Sequence, residues 1–315
     1  SSRGRSMRTP LVATLCTLAA AKNETYAVLA YGRGGGAALG ALVLGSVLKR
    51  VDPGRSRTAL VYGVSDDARA ALRAGGWAVA EAASFKTHRI DGDAANDLGK
   101  ATAWPGRKLD LWRLPYDKVL YLDADTMLVD HAGTLPKSLA GLWALPLKKG
   151  EIGALSNGAG CFNGGMLLLR PAASTFGAYE AALAQNALKK TCEGHDQPLL
   201  NHVFDGAWTD LHKKWQLMKV TQSCDRLEHA TPDAVHFFAA SAPWRGGCRA
   251  CLAENKACSH RHGLRDAACA QASLLEAQRR WWREVDALPA AARRFVDGLL
   301  EDPPTRADGS PRRLC

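Results

Sequence analysis

Apolar positions along this chain fall into short β-rich runs separated by stretches of helical spacing. Tyr26 to Tyr31 reads as a strand ending in GRGGG, and Ala37 to Arg50 follows with the Ala/Leu/Val pattern of a helix. A second strand, Ala59 to Gly63, leads through Ser65, an N-cap residue, into a helix from Asp66 to Ala74. Trp77 to Ala80 is a short third strand, a helix is expected near Lys108 to Leu114, and Val119 to Leu122 is a buried strand. Strands alternating with helices imply a largely parallel sheet, whose ligands bind at the carboxyl ends of the strands. The second half is less regular. Gly160 to Pro171 is a turn followed by an apolar strand, His195 to Phe204 starts a helix with a polar cluster, and Ala234 to Phe238 is a strand carrying His236. Leu274, Ala277, Trp281, Val285 and Leu288 recur at helical spacing, as a stripe packed into a core does.

The most informative break in the pattern lies in DKVLYLDADTMLVD, Asp117 to Asp130. Carboxylates at the end of a buried strand are costly unless something cationic neutralises them. Strand alternation would put Asp123 and Asp125 on one side and the small Ala124 on the other, so that both carboxylates converge on one hard divalent ion. An ion held by so few protein oxygens keeps open positions that phosphate oxygens occupy. The same D-x-D-x-T pattern also opens the haloacid-dehalogenase-type phosphotransferases; that reading requires a later acidic pair plus Lys, which this chain does not place. The glycines Gly32, Gly34, Gly35 and Gly36 lack a Lys-Ser/Thr ending and dinucleotide-fingerprint spacing, and are expected to let backbone approach a ligand closely.

Composition sets the frame for that chemistry. The chain has 315 residues, 47% hydrophobic and 23% charged, enough for one sizeable core plus an appendage and unlike any disordered class. Its net charge of +10 includes basic residues at both ends, without the interleaved aromatic and basic stripe of a nucleic-acid surface. Of 9 Cys, a group falls in Cys224 to Cys269, a density expected of disulfides in an oxidising compartment. Zinc held by Cys248, Cys251, Cys258 and Cys269 with His260 and His262 is the less favoured alternative, because no familiar ligand spacing is completed. Met7 to Ala21 has the basic start, apolar middle and small-residue end of a secretory signal, and is too short to span a membrane. Its removal would leave the sequon Asn23-Glu24-Thr25 near a new N-terminus and place the protein in the secretory pathway, in the Golgi or ER lumen or secreted; the cytoplasm is the alternative.

In this order, the segments resemble the glycogenin-like family-8 retaining glycosyltransferases. The blocks are ALVLGSVLKR (Ala41 to Arg50), KLDLW (Lys108 to Trp112), LYLDADTMLV (Leu120 to Val129), CFNGGMLLLRP (Cys161 to Pro171), HDQPLLN (His195 to Asn201) and VHFFAASAPW (Val235 to Trp244). The resemblance implies a GT-A fold, a Rossmann-like α/β domain that binds nucleotide-diphospho-sugars, over residues 22–247. Residues 1–21 precede it, and a Cys-rich, mainly helical extension, residues 248–315, follows.

Residue by residue, the resemblance implies Asp123, Asp125 and His236 as ligands of Mn²⁺, with Mg²⁺ as the alternative ion. Lys108, Asp123, Ala124, Asp125, Asn163 and Gly164 would hold the nucleotide-sugar donor, and Asp196 and Gln197 would lie beneath its anomeric carbon as the catalytic pair. The implied partners are a UDP-linked donor and a separate glycan, lipid or protein acceptor, without nucleic acid. Several positions depart from the family pattern. The lysine that clamps the diphosphate falls at Ala242, a nearby glycine at Ala239, and an Asn and a Tyr that help hold the base at Gly34 and Ala37. A degenerate module that binds nucleotide-sugar or glycan with weak or no catalysis is therefore the alternative. Trp215 to Ala234, which would carry an autoglucosylated tyrosine, contains no Tyr.

Overall fold

The computed structural model describes residues 23–32, 35–82, 104–129, 137–185, 187–189, 191–192, 196–211, 217–219, 232–237, 242–244, 252–253 and 267–301. The expected signal segment, Arg33 and Gly34, Ala239, the Cys224 to Cys258 group and His260 and His262 lie outside the described residues.

Strand β1 (Glu24–Tyr31) is the centre of the fold. Its apolar residues are buried apart from half-buried Tyr31, and they alternate between two faces: Tyr26, Val28 and Ala30 enter one core, Ala27 and Leu29 the other. Helix α1 (Gly36–Val51) crosses over to β2 (Ser56–Tyr62), and α2 (Asp66–Ala74) to β3 (Ala78–Glu81). Ser65 caps α2 as its sequence position predicts, its side chain accepting from Ala68 N at 3.2 Å. A 3-10 helix (Trp104–Arg113) precedes β4 (Lys118–Leu122), so the helix expected around Lys108 forms with tighter winding than anticipated. Strand β5 (Thr126–Leu128) and α3 (Lys137–Trp143) follow.

The remaining strands are β6 (Ile152–Gly158), β7 (Cys161–Leu169), β8 (Trp208–Asp210), β9 (Leu217–Lys219) and β10 (Ala234–His236). The main sheet has the order β3-β2-β1-β4-β7-β6-β8. It is parallel from β3 to β4, but β7 runs antiparallel to both β4 and β6, a reversal that the expectation of a largely parallel sheet leaves out. A small sheet, β5-β10-β9, projects beyond the end of β4.

Helices cover both faces. The 3-10 helix, α4 (Ala173–Ala184) and α5 (Gln197–Val203) pack on one, through Leu109, Trp112, Tyr179, Leu199 and Phe204. On the other lie α1, α2, α6 (Ala267–Asp286) and α7 (Ala290–Glu301). The predicted stripe Leu274, Ala277, Trp281, Val285 and Leu288 is buried there and shares a continuous core with α1, so the helical extension completes this layer. The glycine turn takes its meaning from this packing. A Cβ on Gly35, whose φ is +68°, would lie 2.6 Å from Leu299, and one on Gly36 would lie 2.2 Å from Trp244. At these two positions the close approach is to the protein's own side chains, where a ligand was expected.

Candidate active site

The site forms where β4 stops. Asp123 N donates to Gly165 O at 2.8 Å, extending the pairing with β7 by one residue, and Thr126 N then donates back to Asp123 O at 2.9 Å. Residues 123–126 are thus a tight turn. This turn, and not the pleat of a continuous strand, brings the two carboxylates together. Ala124 points away into the core over α1, with its carbonyl against Gly40.

His236 arrives from a distant part of the chain by strand pairing. β10 runs antiparallel to β5 with His236 opposite Thr126, and Phe237 N donates to Asp125 O at 2.9 Å. The His236 Nε2 atom is 3.1 Å from Asp125 Oδ1 and 4.0 Å from Asp123 Oδ2. One ligand atom each from Asp123, Asp125 and His236 falls within a 4.8 Å cluster.

Lys108, on the 3-10 helix, is buried beside this cluster. Its Nζ lies 2.9 Å from Asp123 Oδ1 and 3.0 Å from Asp196 Oδ2, and donates to Gly164 O at 3.0 Å. Asp196 is the N-cap residue of α5 and Gln197 opens that helix. From β7, Asn163 accepts from Gly165 N at 2.7 Å through Oδ1. A Cβ on Gly164 would lie 2.8 Å from Asp196 Oδ2, and one on Gly165 would lie 2.6 Å from His236 Cε1. Two glycines therefore form the floor on which the carboxylate and the imidazole sit.

Of the residues expected at the site, Lys108, Asp123, Asp125, Asn163, Gly164, Asp196 and His236 lie together here, Ala124 points away, and Gln197 follows Asp196 at the start of α5. Sequence reasoning missed Gly165, Tyr31 and Tyr121. Tyr121 donates its hydroxyl to Asp123 Oδ1, and Lys108 Nζ lies 5.3 Å from its ring centre. Strand alternation was the signal for it, since residues 121 and 123 share a face.

Charge is unbalanced within the cluster. Asp123, Asp125 and Asp196 face one lysine and one imidazole. Burial raises the Asp123 pKa, with Asp125 and Asp196 adding to it, and Lys108 and His236 only partly oppose the rise. For Asp125, burial also acts upward, but His236 outweighs it and the net shift is downward. Burial would lower Lys108 and His236, yet the adjacent carboxylates raise both. Burial, then Asp123 and Asp125, push the Tyr31 phenol up to about 12. Two carboxylates and an imidazole are a donor set suited to a hard or borderline divalent cation, and excess negative charge is what such a cation would offset.

Residues 107–248 match the family model described as glycosyl transferase family 8. This region is similar to the family 8 glycosyl transferases. It contains Lys108, Asp123, Asp125, Asn163, Gly164, Asp196 and His236. Glycosyltransferase GlyF of Streptococcus pneumoniae is 30% identical over 142 residues, which are 41% of this chain and 34% of GlyF. Glycogenin-2 of Homo sapiens is 27% identical over 150 residues, 44% of this chain and 27% of that protein. The chain thus spans about a third or less of the length of these relatives. The solved structure of a galactosyltransferase, LgtC, in complex with donor and acceptor sugar analogs superposes with a TM-score of 0.55 at 19% identity, covering 85% of this chain and 99% of that one. The matched region and its surrounding layers therefore have the GT-A fold, with the DxD segment at the end of β4.

Proposed function

We propose that this chain is a metal-dependent retaining glycosyltransferase that moves a hexosyl or related group from a UDP-linked sugar to a separate acceptor. The observation that carries the reading is the convergence of Asp123, Asp125 and His236 within 4.8 Å beside the Lys108–Asp196 ion pair. Mn²⁺ fits the donor set; when bound, it would neutralise the charge growing on the departing diphosphate.

The chain's own residues supply position. Asn163 and Gly164 receive the sugar, with Gly164 leaving the room that a side chain would fill. Lys108 holds the Asp196 carboxylate toward that space through the 3.0 Å ion pair, so that Asp196 and Gln197 face the anomeric carbon and Asp196 stabilises positive charge there. Burial of Lys108 and Asp196 keeps water from screening this field.

The diphosphate lacks the family's lysine clamp. Ala242 is fully buried in its place, which favours weak donor binding as a second reading. The disulfide Cys161–Cys192 supports folding in an oxidising compartment of the secretory pathway. Among the described residues no helix is long and apolar enough to cross a membrane. The deciding experiment is nucleotide release from a panel of UDP- and GDP-sugars with Mn²⁺ and no acceptor. Slow release from one donor identifies it, and no release from any donor refutes transferase activity.

A further inference from the structure

The geometry points to a positioning device that the family 8 cluster does not include: the Cys161–Cys192 disulfide, seconded by Asn201 and Lys189, holds Asp196 and Gln197 in register over Asn163 and Gly164. This inference rests on the transferase reading above.

Neither of the two segments is well placed by its own secondary structure. Helix α5 has seven residues, no side-chain cap and a proline in its first turn, so it makes few hydrogen bonds of its own. The start of β7 pairs with β6 through two register shifts, and the connecting turn needs positive φ at Gly158, Ala159 and Gly160. Backbone pairing fixes β7 against β4 only from Gly165 onward. Asn163 and Gly164 lie before that point.

Cross-links take over where the ladder stops. The disulfide joins the first residue of β7 to the segment before α5, and both sulfurs are buried. The Asn201 side chain, on α5, engages both backbone groups of Phe162: Phe162 N donates to Oδ1 at 2.8 Å, and Nδ2 donates to Phe162 O at 3.0 Å. Lys189 Nζ donates to Gly160 O at 3.2 Å while Lys189 N donates to Pro198 O at 2.9 Å, and Cys192 N donates to Lys189 O at 2.9 Å. The disulfide, Asn201 and the Lys189 side chain connect the same two short segments, and the two backbone bonds tie Lys189 to Cys192 and to α5. The tolerance they protect is small, since Asp196 Oδ2 sits only 2.8 Å from where a Gly164 Cβ would be. A shift of an ångström at a reacting centre costs on the order of 100-fold in rate, even when binding is intact.

The test uses the full chain in three forms: oxidised wild type, a Cys161→Ala/Cys192→Ala double variant, and wild type treated with dithiothreitol. In the last form two electrons and two protons pass from the dithiol, which closes to its own cyclic disulfide, leaving Cys161 and Cys192 as thiols. Lys189→Met serves as a milder variant should the double variant fail to fold. Donor turnover is expected to fall about 10- to 100-fold in the double variant, with KM for the donor and UDP affinity by calorimetry within about twofold. Amide exchange should quicken across residues 197–203 and stay unchanged across residues 118–122. Unchanged turnover overturns the proposal. So does a parallel loss of turnover, UDP affinity and protection in both segments, which would mark a merely structural bridge. If oxidised wild type releases nucleotide from no donor, the transferase reading fails on its own account. The exchange readout still judges the tether in that case, and unchanged exchange at 197–203 overturns it.

Discussion

Lys108 Nζ and Asp196 Oδ2 lie 3.0 Å apart, joining the 3-10 helix to the start of α5 across the end of β7. Neither residue could sit there alone, because each is buried and charged. The same lysine reaches Asp123, so a single cation serves the carboxylate pair proposed for metal binding and the carboxylate proposed to face the sugar.

Lys108→Met is expected to destabilise the metal-free protein by about 3–5 kcal/mol, because it leaves two buried carboxylates without their cation. Adding Mn²⁺ should raise the melting temperature of this variant more than that of wild type, since the ion supplies part of the missing charge. Equal Mn²⁺ shifts in the two proteins would show that the lysine and the ion do not share the cluster.

Removal of metal by a chelator is expected to abolish nucleotide release, with full recovery on adding Mn²⁺. Asp125→Asn should lower release on the order of 100-fold or more, since one carboxylate fewer remains in a site whose Lewis-acid contribution is several kcal/mol. Full activity in excess chelator would refute metal dependence.

Two glycine substitutions separate catalysis from stability. Gly164→Ala pushes a methyl group to within 2.8 Å of Asp196 Oδ2 and 3.2 Å of Leu200 Cδ1, so turnover should collapse while the melting temperature drops modestly. Gly40→Ala puts a Cβ 2.3 Å from the Ala124 carbonyl and 2.5 Å from the Trp244 ring. Backbone cannot yield as a flexible side chain can, and a loss of about 1–3 kcal/mol is expected, with the Asp123–Asp125 turn displaced as well. Thermal melts and steady-state kinetics on both variants check the contrast.

Incubation with UDP-glucose and Mn²⁺ is expected to add no hexose to the protein itself, as read by intact mass. Tyr26, Tyr121 and Tyr179 are buried, and the Tyr31 phenol beside the carboxylates is pushed up to about 12, so it ionises poorly as a nucleophile. A hexose ladder on any tyrosine would overturn this expectation.

Much of this was legible in the chain because it depends on local pattern. The apolar runs of β1 and β4, the Ser65 cap and the Trp281 stripe follow from hydrophobic spacing and capping chemistry, which act over a few residues. The DxD break marked the site because a carboxylate at a buried strand end needs a cationic partner wherever the fold puts it. The sequence by itself thus determined the strand–helix order, the core faces and the identity of most polar residues in the cluster.

What only the tertiary structure decided is how distant segments meet. The antiparallel pairing of β7 with β4 joins residues far apart in the chain, which no local window contains. His236 reaches Asp125 through the β5–β10 pairing, and the Cys161–Cys192 bond joins two cysteines whose spacing announces nothing. Gly35 and Gly36 look like a ligand loop in sequence and prove to be contact points for Leu299 and Trp244. In each case the deciding quantity is a distance between residues far apart in the chain, and folding alone fixes it.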